Sequence, residues 1–259
     1  MKNERTVTLS IKERFHEIKI LFRSIPSVVV ALFIVSVISM NLLANKTIFS
    51  REWIAIDGGI LVSWISFLSM DIVTMRFGPK AGNRLSILAT LINLLACLMF
   101  YIASIIPTSD DFSAFNSVLG GTWFILLSST IAFIASALLN NFLNWTIGKL
   151  FKKKGGFEFV ARTYISTFIS QFFDNLIFAM LTFMLFAPIF WDGFSWSFIQ
   201  CLTCSITGAI LELVCEIIFS PIGYKLVRKW EKEGVGKEYL ELVEKNKNAK
   251  TSSINKVEE

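Results

Sequence analysis

Between Pro26 and Pro221 the chain falls into six apolar, charge-poor runs, at about 26–45, 56–75, 84–106, 122–147, 159–187 and 197–221. Each is long enough to cross a hydrocarbon layer as a helix, which takes about 20 residues. Inside lipid the backbone must satisfy its own hydrogen bonds, and a continuous helix does so within one segment. The runs therefore predict an all-α polytopic membrane protein with six transmembrane helices. Composition agrees: 54% of the 259 residues are hydrophobic, 25 are Phe, and mean hydropathy is +0.60. Soluble domains approach that fraction without sorting their residues into such runs. The first run opens near Ser27 and no A-x-A site follows it, so no cleavable signal peptide is expected.

Lys and Arg predict the orientation. The N-terminus, the 76–84 turn, the 149–154 turn and the tail from Lys225 carry 6, 3, 4 and 9 of them. The opposite connections hold only Lys46 and Arg51, with Asp110, Asp111 and Asp192 on that side. The positive-inside rule then puts both termini in the cytoplasm of a bacterial plasma membrane. The net charge of +5 follows from this asymmetry and calls for no nucleic-acid partner. Three parts are expected: a cytoplasmic amphipathic surface helix (1–25), a six-helix transmembrane domain (26–221) and a charged, solvated cytoplasmic tail (222–259). In the first, Ser10 and Glu13 form a capping-box pattern ahead of a stripe of Ile11, Phe15, Ile18 and Phe22.

One stretch breaks the apolar pattern. Ser166–Phe178 reads S-T-F-I-S-Q-F-F-D-N-L-I-F, and at helical spacing Ser166, Thr167, Ser170, Gln171, Asp174 and Asn175 share a face. A carboxylate near a bilayer centre costs about 2.5–3.5 kcal/mol on insertion scales, so this face must look into protein or a wet cavity. The fourth run echoes the fifth: both contain S-x-x-x-[N/D]-N, setting Ser136 with Asn140 and Ser170 with Asp174. Their opposite directions make the echo resemble an inverted repeat meeting near the midplane, although apolar helices often look alike by chance.

Two readings of these residues stay open. Asp174 and Asn175 could clasp Asn140 and Asn141 to fix helix packing. They could instead bind a ligand, the preferred reading because so many polar groups share the face. A carboxylate beside carboxamides suits a planar, purine-like ligand with adjacent N–H donors, and Phe172, Phe173, Trp123 and Trp145 offer stacking surfaces. Asp57, Trp64, Phe67 and Asp71 are expected on one face of the second helix. Asp57 is read there as a helix N-terminal charge, and Asp71 either pairs with Arg76 or Lys80 or serves a gating or ligand role. Glu212 and Glu216 lie four apart with Ser205 and Gly208 on their stripe, and either hold a coupling ion or pair with Arg162.

Catalysis is not expected. G-x-S-x-G, H-E-x-x-H and a phosphate-binding G-x-x-x-x-G-K-[S/T] are all missing, and the single His16 lies in the surface helix. Cys201-Leu-Thr-Cys204 has metal spacing but stands alone in an apolar run, and Cys97 and Cys215 are likewise embedded. No metal or cofactor is anticipated.

Asp71-Ile-Val-Thr-Met-Arg-Phe77-Gly78, then Ser166-Thr-Phe-Ile-Ser170-Gln171-Phe-Phe-Asp174, then Pro221 closing the sixth helix, stand in an order and spacing that resembles the queuosine-precursor transporter family, also called vitamin-uptake-transporter-like. The resemblance spans roughly residues 28–230. It implies a six-helix inner-membrane protein that takes up 7-deazaguanine bases, with Asp71, Gln171 and Asp174 as functional positions. The chain departs from the pattern in the fourth helix, where Asn140 stands in place of Asp and Ala137 in place of Gln. The expected function is import of a queuosine precursor. The alternative is a substrate-capture subunit docking on an energy-coupling ATPase module through small residues on the first helix. Ser27, Ala31 and Ser39 keep that spacing and Val35 interrupts it.

Overall fold

The computed structural model describes the backbone of residues 11–150 and 156–258. Side chains are described over 12–136 and 168–248 apart from 216 and 220, together with those of Leu139, Leu143 and Ile165. The elements in order are α1 (Ile11–Ser24), α2 (Ser27–Leu43), β1 (Thr47–Arg51), β2 (Ile54–Asp57), α3 (Ile60–Phe77), α4 (Pro79–Ile105), α5 (Ser113–Leu150) and α6 (Gly156–Ala179). A π-helical stretch, Met180–Phe186, leads into the short α7 (Ala187–Phe190), and α8 (Phe198–Glu233) and α9 (Lys237–Glu258) complete the chain.

The all-α membrane architecture holds. Five helical stretches are long and apolar enough to cross a bilayer: Ile60–Phe77, Pro79–Ile105, Ser113–Ser136, Phe168–Phe190 and Phe198–Phe219. With 17 residues, α2 is at the lower limit of spanning length, and with α1 bent off it by 97° it makes the sixth candidate. Leu91, Leu94, Leu98 and Ile102 on α4 lie exposed along one side, as apolar side chains facing lipid must.

The sharp bend falls at Pro26, whose ring cannot continue α1 through a normal hydrogen bond. α1 buries Ile20 and Leu21, and Ile25 just past its end is buried too, while Phe15 on the expected stripe is 70% exposed. The basic loops and the tail come together here. Glu17 pairs with Arg84 of α4 at 2.8 Å. Arg76 donates from Nε and Nη2 to the Val235 carbonyl at 3.0 and 2.6 Å.

Three features depart from expectation. The sixth apolar helix does not close at Pro221 but runs on as α8 to Glu233. The tail is not simply solvated, because Val227, Trp230 and Tyr239 are buried in one cluster with Phe77, Leu85 and Leu21. The second helix does not begin at 56: residues 54–57 form β2 of an antiparallel hairpin instead. That hairpin is stapled to α8. Gln200 Nε2 donates to the Arg51 carbonyl at 2.8 Å, and Thr203 Oγ1 donates to the Trp53 carbonyl at 2.7 Å. A capping box of Ser197 and Gln200 opens α8 and fixes the same glutamine in place.

The π-helical stretch interrupts the fifth spanning segment just past its polar face. Pro188 gives the reason: its ring cannot donate to residue 184 and crowds that carbonyl in an α-turn. A wider turn relieves the conflict at the expense of ideal geometry. Phe183 in this stretch stacks on Trp196 at 3.9 Å, and its carbonyl accepts from the Trp196 backbone at 3.1 Å, which fixes the irregular segment.

Candidate functional site

A cavity of about 60 Å³ lies where α2, α3, α5, α6, α8 and the end of β2 meet. It sits toward the hairpin end of the bundle. α2 reaches it with its last turns (Met40, Asn41, Ala44), and α8 with its first half (Cys204, Gly208, Glu212). Phe67 and Phe178 form apolar walls; Asn41, Asp57, Ser63, Asp174, Asn175 and Glu212 supply the polar ones. No Lys, Arg or His is among the described lining residues.

Asp174 is held from α5. Ser136 Oγ donates to its Oδ1 at 2.8 Å, which joins the two helices that echo each other in sequence. Its second oxygen remains for the cavity. Asn175 turns toward α8, where its Nδ2 donates to Glu212 Oε2 at 3.4 Å. That contact is near the outer limit of hydrogen-bond length and is weak. Glu212 is 4% exposed. A buried carboxylate without a cation beside it is expensive unless hydrogen bonds surround it.

Asp57 enters from outside the spanning helices. It is 8% exposed and ends β2, and its Oδ1 accepts from the Gly59 backbone N–H at 2.7 Å. The Cys204 thiol approaches Oδ2 at 3.9 Å. Burial pushes the Asp57 carboxyl up to about 6, against the pull of the Gly59 N–H in the other direction. Asp57 thus sits at the start of α3 as an N-terminal charge, and it also lines the cavity. It is a carboxyl folded under the hairpin onto the mouth of the cavity.

The remaining sequence candidates are placed as follows. Asp174, Asn175 and Glu212 meet at the cavity. Ser170 and Gln171 are buried one turn earlier on α6 and are not among the described lining residues, and Gln171 Oε1 has no hydrogen-bond partner among the described residues. Asp71 lies half-buried toward the other end of α3, also away from the lining. Asp71 has interactions of its own there, and Arg76, one of its two expected partners, donates to the Val235 carbonyl. The side chains of Asn140, Asn141 and Glu216, like those of Arg162, Trp145, Ser166 and Thr167, lie outside the described residues. The expected stacking surfaces move: Trp123 packs against Phe124 and Phe190, and Phe173 is exposed, while Phe67 and Phe178 face the cavity. Among the described residues, no three His, Cys, Asp or Glu groups are arranged to hold a metal ion.

Sequence reasoning missed Asn41, Ser63 and Ser129, and did not anticipate that Asp57 lines the cavity. Asn41 carried a usable signal as the only amide in the apolar α2, one turn from its end. Gly208 makes close approach possible, since a Cβ there would meet Asn175 Nδ2 at 2.9 Å and Ile60 Cδ1 at 3.3 Å. Gly208→Ala should therefore displace Asn175 and narrow the cavity, and weaken ligand binding by about tenfold, equal to about 1.4 kcal/mol. Ligand titration of the purified variant measures this.

Residues 57–226 match the family model described as "Putative vitamin uptake transporter", which covers more than half of the 259-residue chain. The chain belongs to that family. No curated protein and no solved structure matches it. The matched region takes in Asp57, Asp174, Asn175 and Glu212, while Asn41 lies before it. A member of this family is accordingly a membrane protein whose ligand is a small molecule. The cavity, with its apolar walls and few convergent polar groups, is the candidate place for it.

Proposed function

We propose that this transporter imports a queuosine precursor, a 7-deazaguanine-type base, across the bacterial plasma membrane, with both termini in the cytoplasm. The observation that carries the reading is the pairing of Asp174 with Asn175 on a buried cavity between Phe67 and Phe178. A guanine-like edge presents neighbouring N–H donors. Asp174, tied to Ser136 by one oxygen, accepts them with the other, and the Asn175 carboxamide reads an adjacent carbonyl or ring nitrogen. Phe67 and Phe178 cover the faces of the ring.

Size adds a condition. An apolar cavity of about 150 Å³ takes up benzene, and the present cavity is smaller than that. A bicyclic base then enters by widening the space between α3, α6 and α8, as alternating access requires. The stretch Met180–Phe186, directly past Phe178, is the irregular part of α6 best able to yield.

The test is binding and uptake by the full chain. 7-Deazaguanine bases should raise the melting temperature of detergent-purified protein in proportion to the logarithm of their concentration, and common vitamins should not. Cells that cannot make the base should accumulate it when they express this chain. No melting shift with any deazaguanine would sink the substrate assignment. One observation favours a second reading, a capture subunit of an energy-coupling transporter: the small residues Ser27 and Ala31 of α2 are exposed, although Val35 interrupts their stripe and Ser39 is partly buried. Uptake that appears only with a co-expressed ATPase module would select it.

A further inference from the structure

The cavity has more acid than a neutral base needs. Asp57 comes from the end of β2, Asp174 from α6, and Glu212 and the Cys204 thiol from α8. Among the described residues, α2, α3 and α5 add no charged side chain to the lining. Asn41 is the independent sign of a missing occupant. It is 2% exposed, lines the cavity, and its side chain makes no hydrogen bond among the described residues. A buried carboxamide left without partners costs about 1–3 kcal/mol, so it is retained to face water or an ion. A space of about 60 Å³ holds about four waters, at roughly 10–15 Å³ of such volume for each. The acids are not gathered for a metal ion, as no three such groups converge among the described residues. They are spread around a small wet space.

We propose that Asp57 and Glu212 are the outer and inner stations of a proton site that drives import, with Asn41 holding the waters that join them. This rests on reading the same cavity as the substrate chamber. A proton from water on the hairpin side adds to Asp57 Oδ2, since Oδ1 is held by the Gly59 N–H. It passes along the waters to a Glu212 oxygen, and Asp57 returns to carboxylate. When the other side opens, Glu212 gives the proton to water there. One O–H bond forms and one breaks at each transfer, and one proton crosses in net. Asp174, hydrogen-bonded to Ser136, stays with the base. Burial places the Asp57 carboxyl at about 6, so it loads on an acidic outer side and empties at neutral pH.

Two measurements on the full chain in vesicles test this, with Asp57→Asn and Glu212→Gln as variants. Both substitutions keep the acceptor oxygen that Gly59 or Asn175 uses, so the local fold is preserved. The first measurement needs no substrate: infrared difference spectra of the carboxyl C=O region between about pH 5 and about pH 8. A protonated-carboxyl band should titrate near the value of Asp57, vanish in Asp57→Asn, and shift in Glu212→Gln and Asn41→Ala. Spectra identical to wild type in all three variants would overturn the proposal, whichever of them inserts poorly. The second is accumulation of labelled 7-deazaguanine base. An inward gradient of one pH unit should raise it about tenfold, and that gain should disappear in Asp57→Asn and Glu212→Gln. A sodium gradient that drives uptake equally well without a pH gradient would also overturn it. A titrating band that depends on Asp57, with no accumulation under any gradient, would support the proton site and reject the deazaguanine reading.

Discussion

Asp174→Asn is expected to lower uptake of a 7-deazaguanine base by about 30-fold or more, because a hydrogen bond to a charged group is worth about 1.5–3 kcal/mol. The variant keeps an oxygen in place to accept from Ser136, so the α5–α6 contact at 2.8 Å survives. What changes is the atom facing the ligand. An amide nitrogen then meets the donor edge of the base, and two donors oppose each other across a dry gap. Ser136→Ala should act more mildly, about threefold to tenfold, as it removes the bond that aims the carboxylate and leaves the carboxylate itself. Uptake by membrane-inserted protein, normalised to folded material, reads both. Unchanged uptake in Asp174→Asn would end the assignment of this residue to the substrate, and a collapse in folded yield would point to the clasp reading instead.

Gly236→Ala should destabilise the basic end of the molecule by about 2–5 kcal/mol. Two costs add. Gly236 has φ +76°, a left-handed conformation that costs an alanine about 1–2 kcal/mol. An added Cβ would also run into the Phe77 ring, and overpacking of this kind costs about 1–3 kcal/mol. Phe77 cannot step aside freely because Trp230 and Tyr239 pack on it with ring centroids at 6.3 and 6.2 Å. The turn is fixed from the other side by Arg76 on the Val235 carbonyl. Thermal unfolding should show the loss, and proteolysis near residue 236 should quicken. A melting curve identical to wild type would mean that the tail contributes nothing to stability.

The spanning helices were readable because a hydrocarbon layer leaves few options: long apolar runs must close their hydrogen bonds within themselves. That Asp174 needs polar company was readable for a related reason, but its partner Ser136 was not, since Asn140 and Asn141 were the expected ones. The rest of the site was harder to see. Asp57 was legible as a charge at a helix start, but not as a cavity residue, because nothing except Gly58-Gly59 hinted that a strand and turn precede the helix. Asn41 was hidden because a single amide near the end of a span reads as interfacial. The burial of Trp230 and Tyr239 was masked by flanking Lys and Glu, although Val227 and Trp230 at helical spacing were a clue. The wide turn at Met180–Phe186 had one visible cause in Pro188, but a proline in a spanning helix more often predicts a kink.

The pins from Gln200 and Thr203 to the Arg51 and Trp53 carbonyls have a consequence for motion. They make the hairpin and the start of α8 a single rigid arm, with Asp57 and Cys204 on its underside. Lifting the hairpin alone as a hinged flap would break both bonds, at about 0.5–1.5 kcal/mol each. To uncover the chamber from that end, the arm must tilt as one piece and take both residues with it.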